Sequence, residues 1–210
     1  MTHSLHRQGS VDSLKKDYTF IVRALKREGF LPRIERVLDI MLSEEPVNMG
    51  CSSSDKCSAA GLEANELRAS LNKNLRFVCT FSSKDKVLSV LKKLKDADAG
   101  VSVVLGGLIK EIVGMSEEVG IKPHTANISL GLFGKKKTLL PGYKTLCLTT
   151  MCGHGMISTR LAEAVAGKVK SGKLTPKEGA YLLAKNCPCG LVNLDRCEEL
   201  FTLDSEGLPP

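Results

Sequence analysis

Apolar positions along this chain follow two different periods. Near the start, Leu14, Tyr18, Ile21/Val22 and Leu25 recur at three- and four-residue steps, the spacing of an amphipathic helix. Asp12 or Ser13 can cap that helix and Gly29 can stop it. After Pro32, Ile34, Val37, Leu38, Met41 and Leu42 repeat the pattern until Pro46, so the two helices read as a hairpin. A small-residue loop over 46–61 and a short helix from Leu62 to Leu71 follow. The polar break Asn72-Lys73-Asn74 ends a helical N-terminal segment assigned to residues 1–74.

From Leu75 the period shifts. Leu75 to Phe81 and Val101 to Leu105 have the length and β-branched or aromatic content of strands. Each leads into a helix, one capped at Ser82-Ser83 and carrying Val87, Leu88, Leu91 and Leu94. The other opens at Gly106-Gly107 and carries Leu108, Ile109, Ile112 and Val113. Thr125 to Phe133 reads as a third strand, and Tyr143 to Cys152, with its alternating Leu146 and Leu148, as a fourth. Ile157, Leu161, Ala164, Val165 and Val169 then mark a helix that ends near Gly172. Thr175-Pro176-Lys177-Glu178 starts another, with Thr as N-cap, Pro at N1 and Glu closing a capping box. A short last helix falls near Asp195–Phe201. Strands alternating with helices predict an α/β (or α+β) domain over residues 75–210. Its mainly parallel or mixed four-stranded sheet has flanking helices and a C-terminal helical hairpin.

Composition narrows the function classes. The 210 residues suit one domain of ordinary size, or one with a helical appendage. With no Trp, three Tyr and six Phe, stacking platforms for single-stranded nucleic acid are scarce. The net charge of +7 is uneven, with 11 Lys/Arg against 10 Asp/Glu in residues 1–75 and 19 against 13 in residues 76–210. The excess sits in short runs such as Lys92-Lys93, Lys135-Lys136-Lys137 and Lys168/Lys170/Lys173, which read as solvated faces. No signal-peptide layout and no 18-residue apolar stretch is present, so a cytoplasmic protein with no membrane association is expected. In that compartment a set of eight cysteines points to metal or thiol chemistry rather than disulfides.

The chemistry concentrates in two turns. Cys152-Gly153-His154-Gly155 sets a thiol and an imidazole two residues apart where the fourth strand is expected to meet a helix. Gly153 and Gly155 let the backbone turn sharply and approach a bound group. Cys187-Pro188-Cys189-Gly190 supplies two further sulfurs. A helix over about residues 156–170 rises roughly 22 Å, and an antiparallel one over 176–186 returns roughly 16 Å. Cys187 is thereby brought close to the level of Cys152. The Ser82-Ser83, Gly106-Gly107 and Cys152–Gly155 turns would share one sheet edge if their strands were parallel, with Gly106 and Gly107 taking a substrate phosphate or carboxylate.

Three readings follow. Cys152, His154, Cys187 and Cys189 can hold a tetrahedral zinc ion, or an iron–sulfur cluster with Cys51 or Cys57 as a fourth sulfur ligand, for redox or metal-assisted chemistry. A redox partner protein or a small anionic substrate would be the partner. Alternatively Cys152 is a catalytic nucleophile activated by His154, with Cys187 or Cys189 as resolving thiol. The third reading is a basic module for nucleic acid or another anion, but no G-x-x-x-x-G-K-S/T loop, G-x-G-x-x-G fingerprint or nucleic-acid motif supports it. Cys79 and Cys147, inside expected strands, read as core residues.

Overall fold

The computed structural model of the chain describes residues 6–25, 28–51, 54–129, 131–132 and 139–203. Its centre is a four-stranded sheet made of β1 (Tyr18–Arg23), β2 (Asn48–Gly50), β3 (Arg76–Phe81) and β4 (Ser102–Gly106), in the order β2-β3-β1-β4. Every adjacent pair is antiparallel, with Phe20 opposite Cys79 and Leu105, and Met49 also opposite Cys79. The expected mainly parallel or mixed sheet is thus an antiparallel one, within the expected α/β class. Helix α2 (Phe30–Leu42) connects β1 to β2, and α4 (Lys84–Ala97) connects β3 to β4. Each connection skips a position in the sheet, which makes two interleaved split β-α-β units of the ferredoxin-like kind.

β1 corrects the helix expected over its residues, and with it the reading of 1–74 as a helical segment. Among the described residues before it only the four of Val11–Leu14 (α1) are helical, capped by Ser10. Tyr18-Thr19-Phe20-Ile21-Val22 is aromatic and β-branched throughout, and such residues fit a pleated, buried surface better than a helix. All five are buried, since β1 lies between β3 and β4. A fully buried strand shows no solvent face, so its chance i, i+3/i+4 coincidences resembled a helical stripe.

Alternation along the strands divides the core in two. Tyr18, Phe20 and Val22 of β1, with Phe77, Cys79 and Phe81 of β3, face Ile34, Leu38 and Met41 of α2 and Val87, Val90 and Leu91 of α4. Phe20 meets Phe81 edge-on, with ring centroids 5.6 Å apart. Met115 and Val119 of α5 (Ile109–Val119) complete this layer. Ile21 and Val78 point the other way, into a layer built from α6 (Tyr143–Thr149), α7 (Thr159–Lys170), α8 (Pro176–Ala184) and α9 (Leu194–Thr202). A short helix α3 (Ala64–Ser70) precedes β3.

Two further strand expectations are corrected. Tyr143–Thr149 is helix α6, burying Cys147 and Leu148. Its Thr-Leu-Cys-Leu-Thr-Thr run fits period 2 and period 3.6 equally well, and packing on α7 and α9 selects the helix. Thr149 and Thr150 bond back to the Leu146 carbonyl, as hydroxyls do inside helices. Over Thr125–Phe133 no strand is found among the described residues, and Ile128 is two-thirds exposed rather than packed. Lys135–Lys137 lies outside the described residues. By contrast, the Thr175–Glu178 capping box stands as expected, with Thr175 accepting from the Glu178 N–H and Glu178 from the Thr175 N–H.

Candidate functional site: a buried cysteine cluster

Polar side chains of the sheet aim at the C-terminal layer and fix its turns. Asn48 donates to the Val192 carbonyl at 2.9 Å, and Thr80 donates to the Gly190 carbonyl at 2.9 Å. Asn193 caps α9 and also reaches the Phe81 carbonyl. The backbones of β2 and the Cys187–Gly190 turn touch so closely that a Cβ on Gly50 would stand 2.3 Å from the Pro188 oxygen. Gly190 has φ +74°, and a Cβ there would meet the Met49 backbone at 2.3 Å. Only glycine at both positions allows this approach. The Cys187 turn therefore sits directly on the C-terminal end of β2.

The antiparallel return of α8 along α7 brings Cys187 back to Cys152. Their side chains share a hydrogen bond in which the Cys187 thiol donates, and this bond is the main reason the Cys152 pKa is held at about 5. Burial opposes the shift; the backbone N–H groups of Met156 and His154 and the charge of His154 reinforce it. The Gly153–Met156 turn thus curls its N–H groups around the sulfur, an anion-binding nest in miniature. Gly155 takes φ +69° there and donates to the Cys152 carbonyl at 3.1 Å. Cys187 is pushed the opposite way, by the hydrogen bond it makes to Cys152 and by burial, and remains a thiol. The pair is a thiolate and a thiol sharing one proton.

The other sulfurs gather beside them. Cys189 Sγ lies 3.8 Å from His154 Nδ1. Burial raises its pKa, the charge of Arg76 lowers it, and Cys152, Cys51 and Cys57 all stand near enough to raise it further. Cys57 donates to the Ala184 carbonyl at 3.4 Å and is likewise raised by burial. Three separate segments therefore bring five sulfurs and one imidazole to one place. Cys51, Cys57 and Cys187 are 0% exposed, Cys152 2% and Cys189 7%, whereas His154 lies on the surface. None of the eight cysteines is joined in a disulfide. As the chain stands, no group of three or more His, Cys, Asp or Glu among the described residues is arranged to hold a metal ion.

Gly106 and Gly107 do not join this site. Gly106 ends β4 opposite Thr19, and Gly107 packs against Asp17 and Tyr18. β4 and β2 are the two outer strands of the sheet, three spacings or about 14 Å apart. The shared-edge expectation fails because the Cys152 turn follows a helix rather than a parallel strand. The remaining cysteines are structural. Cys79 belongs to the apolar layer, Cys147 and Cys197 are buried within α6 and α9, and burial raises all three pKa values. Two lysines of the expected basic runs are engaged, Lys92 with Glu118 and Lys93 with Glu44.

One feature of the site is invisible to residue pattern. The side chain of Arg7, in a stretch that reads as a frayed start, is buried, 6% exposed, and forms an ion pair with Asp17. It also donates through Nη2 to the Met151 carbonyl at 3.2 Å and to the Leu191 carbonyl. Asp17 is held on its other oxygen by Arg196 at 2.7 Å and receives a further bond from Asn193 at 3.2 Å. Burial works against that carboxylate, but the two guanidinium charges outweigh it and keep its pKa below the usual range. An isolated Arg at position 7 carries no motif; only the fold shows its partners.

Fold and site together define an α/β protein of split β-α-β topology whose second helical layer encloses a thiolate centre. Comparisons with family models, with curated proteins and with solved structures find no match to the chain. No helix among the described residues is long and apolar enough to cross a membrane.

Proposed function

We propose that the chain is a soft-metal protein whose cysteine centre holds an iron–sulfur cluster, with zinc as the alternative ion, for electron transfer or redox sensing in a reducing, cytoplasmic setting. The observation that carries this reading is the convergence of five buried sulfurs and His154 from three segments of the chain. Thiolates are the preferred ligands of zinc and of iron–sulfur clusters. Cys152, Cys187, Cys189 and His154 supply the core of the set. Binding requires the thiols to turn from their present partners, which means breaking the Cys152–Cys187 hydrogen bond. Burial favours a held ion over a substrate-facing nucleophile, because a reactive cysteine has to be reached by what it attacks.

A second reading rests on the Cys152–Cys187 contact itself. A thiolate hydrogen-bonded to a thiol is the reduced form of a dithiol couple, with Cys152 attacking a partner's disulfide and Cys187 resolving the mixed disulfide.

Iron, zinc and acid-labile sulfide content, with a visible absorption spectrum, on protein purified without oxygen separates the two. The metal reading expects stoichiometric metal that Cys187→Ser and Cys189→Ser each abolish while Cys79→Ala retains it. A folded, colourless and metal-free wild-type chain overturns it, and rapid oxidation of Cys152 to a disulfide with Cys187 would then establish the dithiol.

A further inference from the structure

The two cysteine turns lie on segments about 35 residues apart, yet their sulfurs stand at hydrogen-bond distance. Arg7 touches the backbone on both sides. The Met151 carbonyl it binds belongs to the peptide that leads into Cys152, and Leu191, whose carbonyl it also binds, gives its own N–H to Cys187. One nitrogen of one guanidinium thus joins the two halves of the site. Its other terminal nitrogen is tied to Asp17 at the start of β1, which Arg196 and Asn193 hold in place.

The stretch carrying Arg7 is anchored around it. Gln8 donates its N–H to Thr150 Oγ1 at 3.0 Å and its carbonyl accepts from Arg196. His6 Nδ1 lies 2.9 Å from Ser129 Oγ. A side chain on Gly9 would collide with Arg196, so the chain here has little freedom to shift. Arg7 Nε is buried without a partner, an unfavourable feature that the bonds at Nη1 and Nη2 offset.

We propose that Arg7 is the positioning residue of the cysteine centre: residues 6–9 form a strap across the second layer, and its guanidinium sets the spacing of the Cys152 and Cys187 turns. The inference rests on the reading that these turns form the working site, but it does not need the site to hold a metal. It makes lysine an inadequate substitute. An ammonium can satisfy Asp17, but it lacks the planar fork that spans a carboxylate and two carbonyls together.

The test is the alkylation rate of individual cysteines in the native, full-length chain, mapped by mass spectrometry with iodoacetamide as the probe. Cys79, buried in the opposite layer, reports general loosening. In Arg7→Lys the Cys152 rate should rise about tenfold relative to Cys79, the scale of one lost charge-assisted hydrogen bond. The urea midpoint should fall only modestly, because Asp17 keeps a cationic partner while a buried carbonyl loses its donor. Arg7→Ala should show a larger ratio, and if it does not fold, Arg7→Lys still decides. An equal rise at both cysteines, or no change at Cys152, overturns the proposal. Metal content measured on the same samples keeps the two ideas apart: a metal-free wild type refutes the metal reading while the labelling ratio still tests Arg7.

Discussion

The two faces of the sheet do different work with the same strands. On one face Phe20, Val22, Phe77, Cys79 and Phe81 meet α2 and α4 through apolar contact alone. On the other, Thr19, Thr80 and Asn48 are as deeply buried, with Ile21 and Val78 between them. Burying a hydroxyl or amide is unfavourable unless it is hydrogen-bonded. Thr80 and Asn48 meet that condition by holding the carbonyls of Gly190 and Val192, in the turn that carries Cys187 and Cys189 and just beyond it. The first face supplies non-directional stabilisation that tolerates small shifts. The second trades some of that for bonds with fixed direction, which is what a site made of turns needs.

If this contrast holds, damage to the first face should change stability and leave the site's chemistry intact. Phe77→Ala removes a fully buried ring from the apolar layer and should cost about 3–5 kcal/mol in urea unfolding. Any fraction that remains folded should keep wild-type metal content and wild-type Cys152 labelling. Loss of metal from folded Phe77→Ala would show that the faces are not separable.

Asp17 probes the second face. Asp17→Asn leaves Arg7 and Arg196 without their carboxylate and should cost about 3 kcal/mol at pH 7, the low end for breaking a buried pair because the amide keeps one acceptor. Its pH dependence has a definite sign. The folded-state pKa lies below the unfolded value, so the carboxylate contributes its full stabilisation above about pH 4 and loses it as the pH falls through and below that value. Denaturant titrations from pH 7 to pH 2 should therefore show wild type and Asp17→Asn converging on the acid side. A constant gap between the two curves would mean that Asp17 is not ionised in the fold.

The helical layer of the first face was largely legible in the sequence. α2 and α4 carry regular apolar stripes with clear stops, and β3 and β4 are short apolar runs between breaks. β1 was not, because burial on both faces removes the polar alternation that marks a strand. α6 was not, because its seven residues are too few to separate the two periods. The chemical residues of the site could be named, since Cys and His clusters announce themselves, and the Thr175 capping box foretold the return of the chain toward Cys152. What pattern could not show is what holds them. Arg7, Asp17, Thr80 and Asn48 are ordinary residues whose roles come from partners more than 60 positions away in most of their bonds. Nor could pattern place Gly106-Gly107 at the opposite edge, because that depends on strand direction.

The smallest effect gives the sharpest comparison. Thr80→Val preserves size and β-branching, so the strand and its neighbours are undisturbed, and only the hydroxyl bond to the Gly190 carbonyl is lost. The global cost should be about 1–2 kcal/mol, since the carbonyl is left unsatisfied in a buried place. Its local effect should fall on Cys189 and Cys187, in the turn that Thr80 pins at Gly190, and not on Cys79, one residue earlier in β3 but facing the other layer. Alkylation of Cys189 should rise in Thr80→Val while that of Cys79 stays at the wild-type rate. If both cysteines respond alike, the hydroxyl contributes only to general stability and the second face is no more directional than the first.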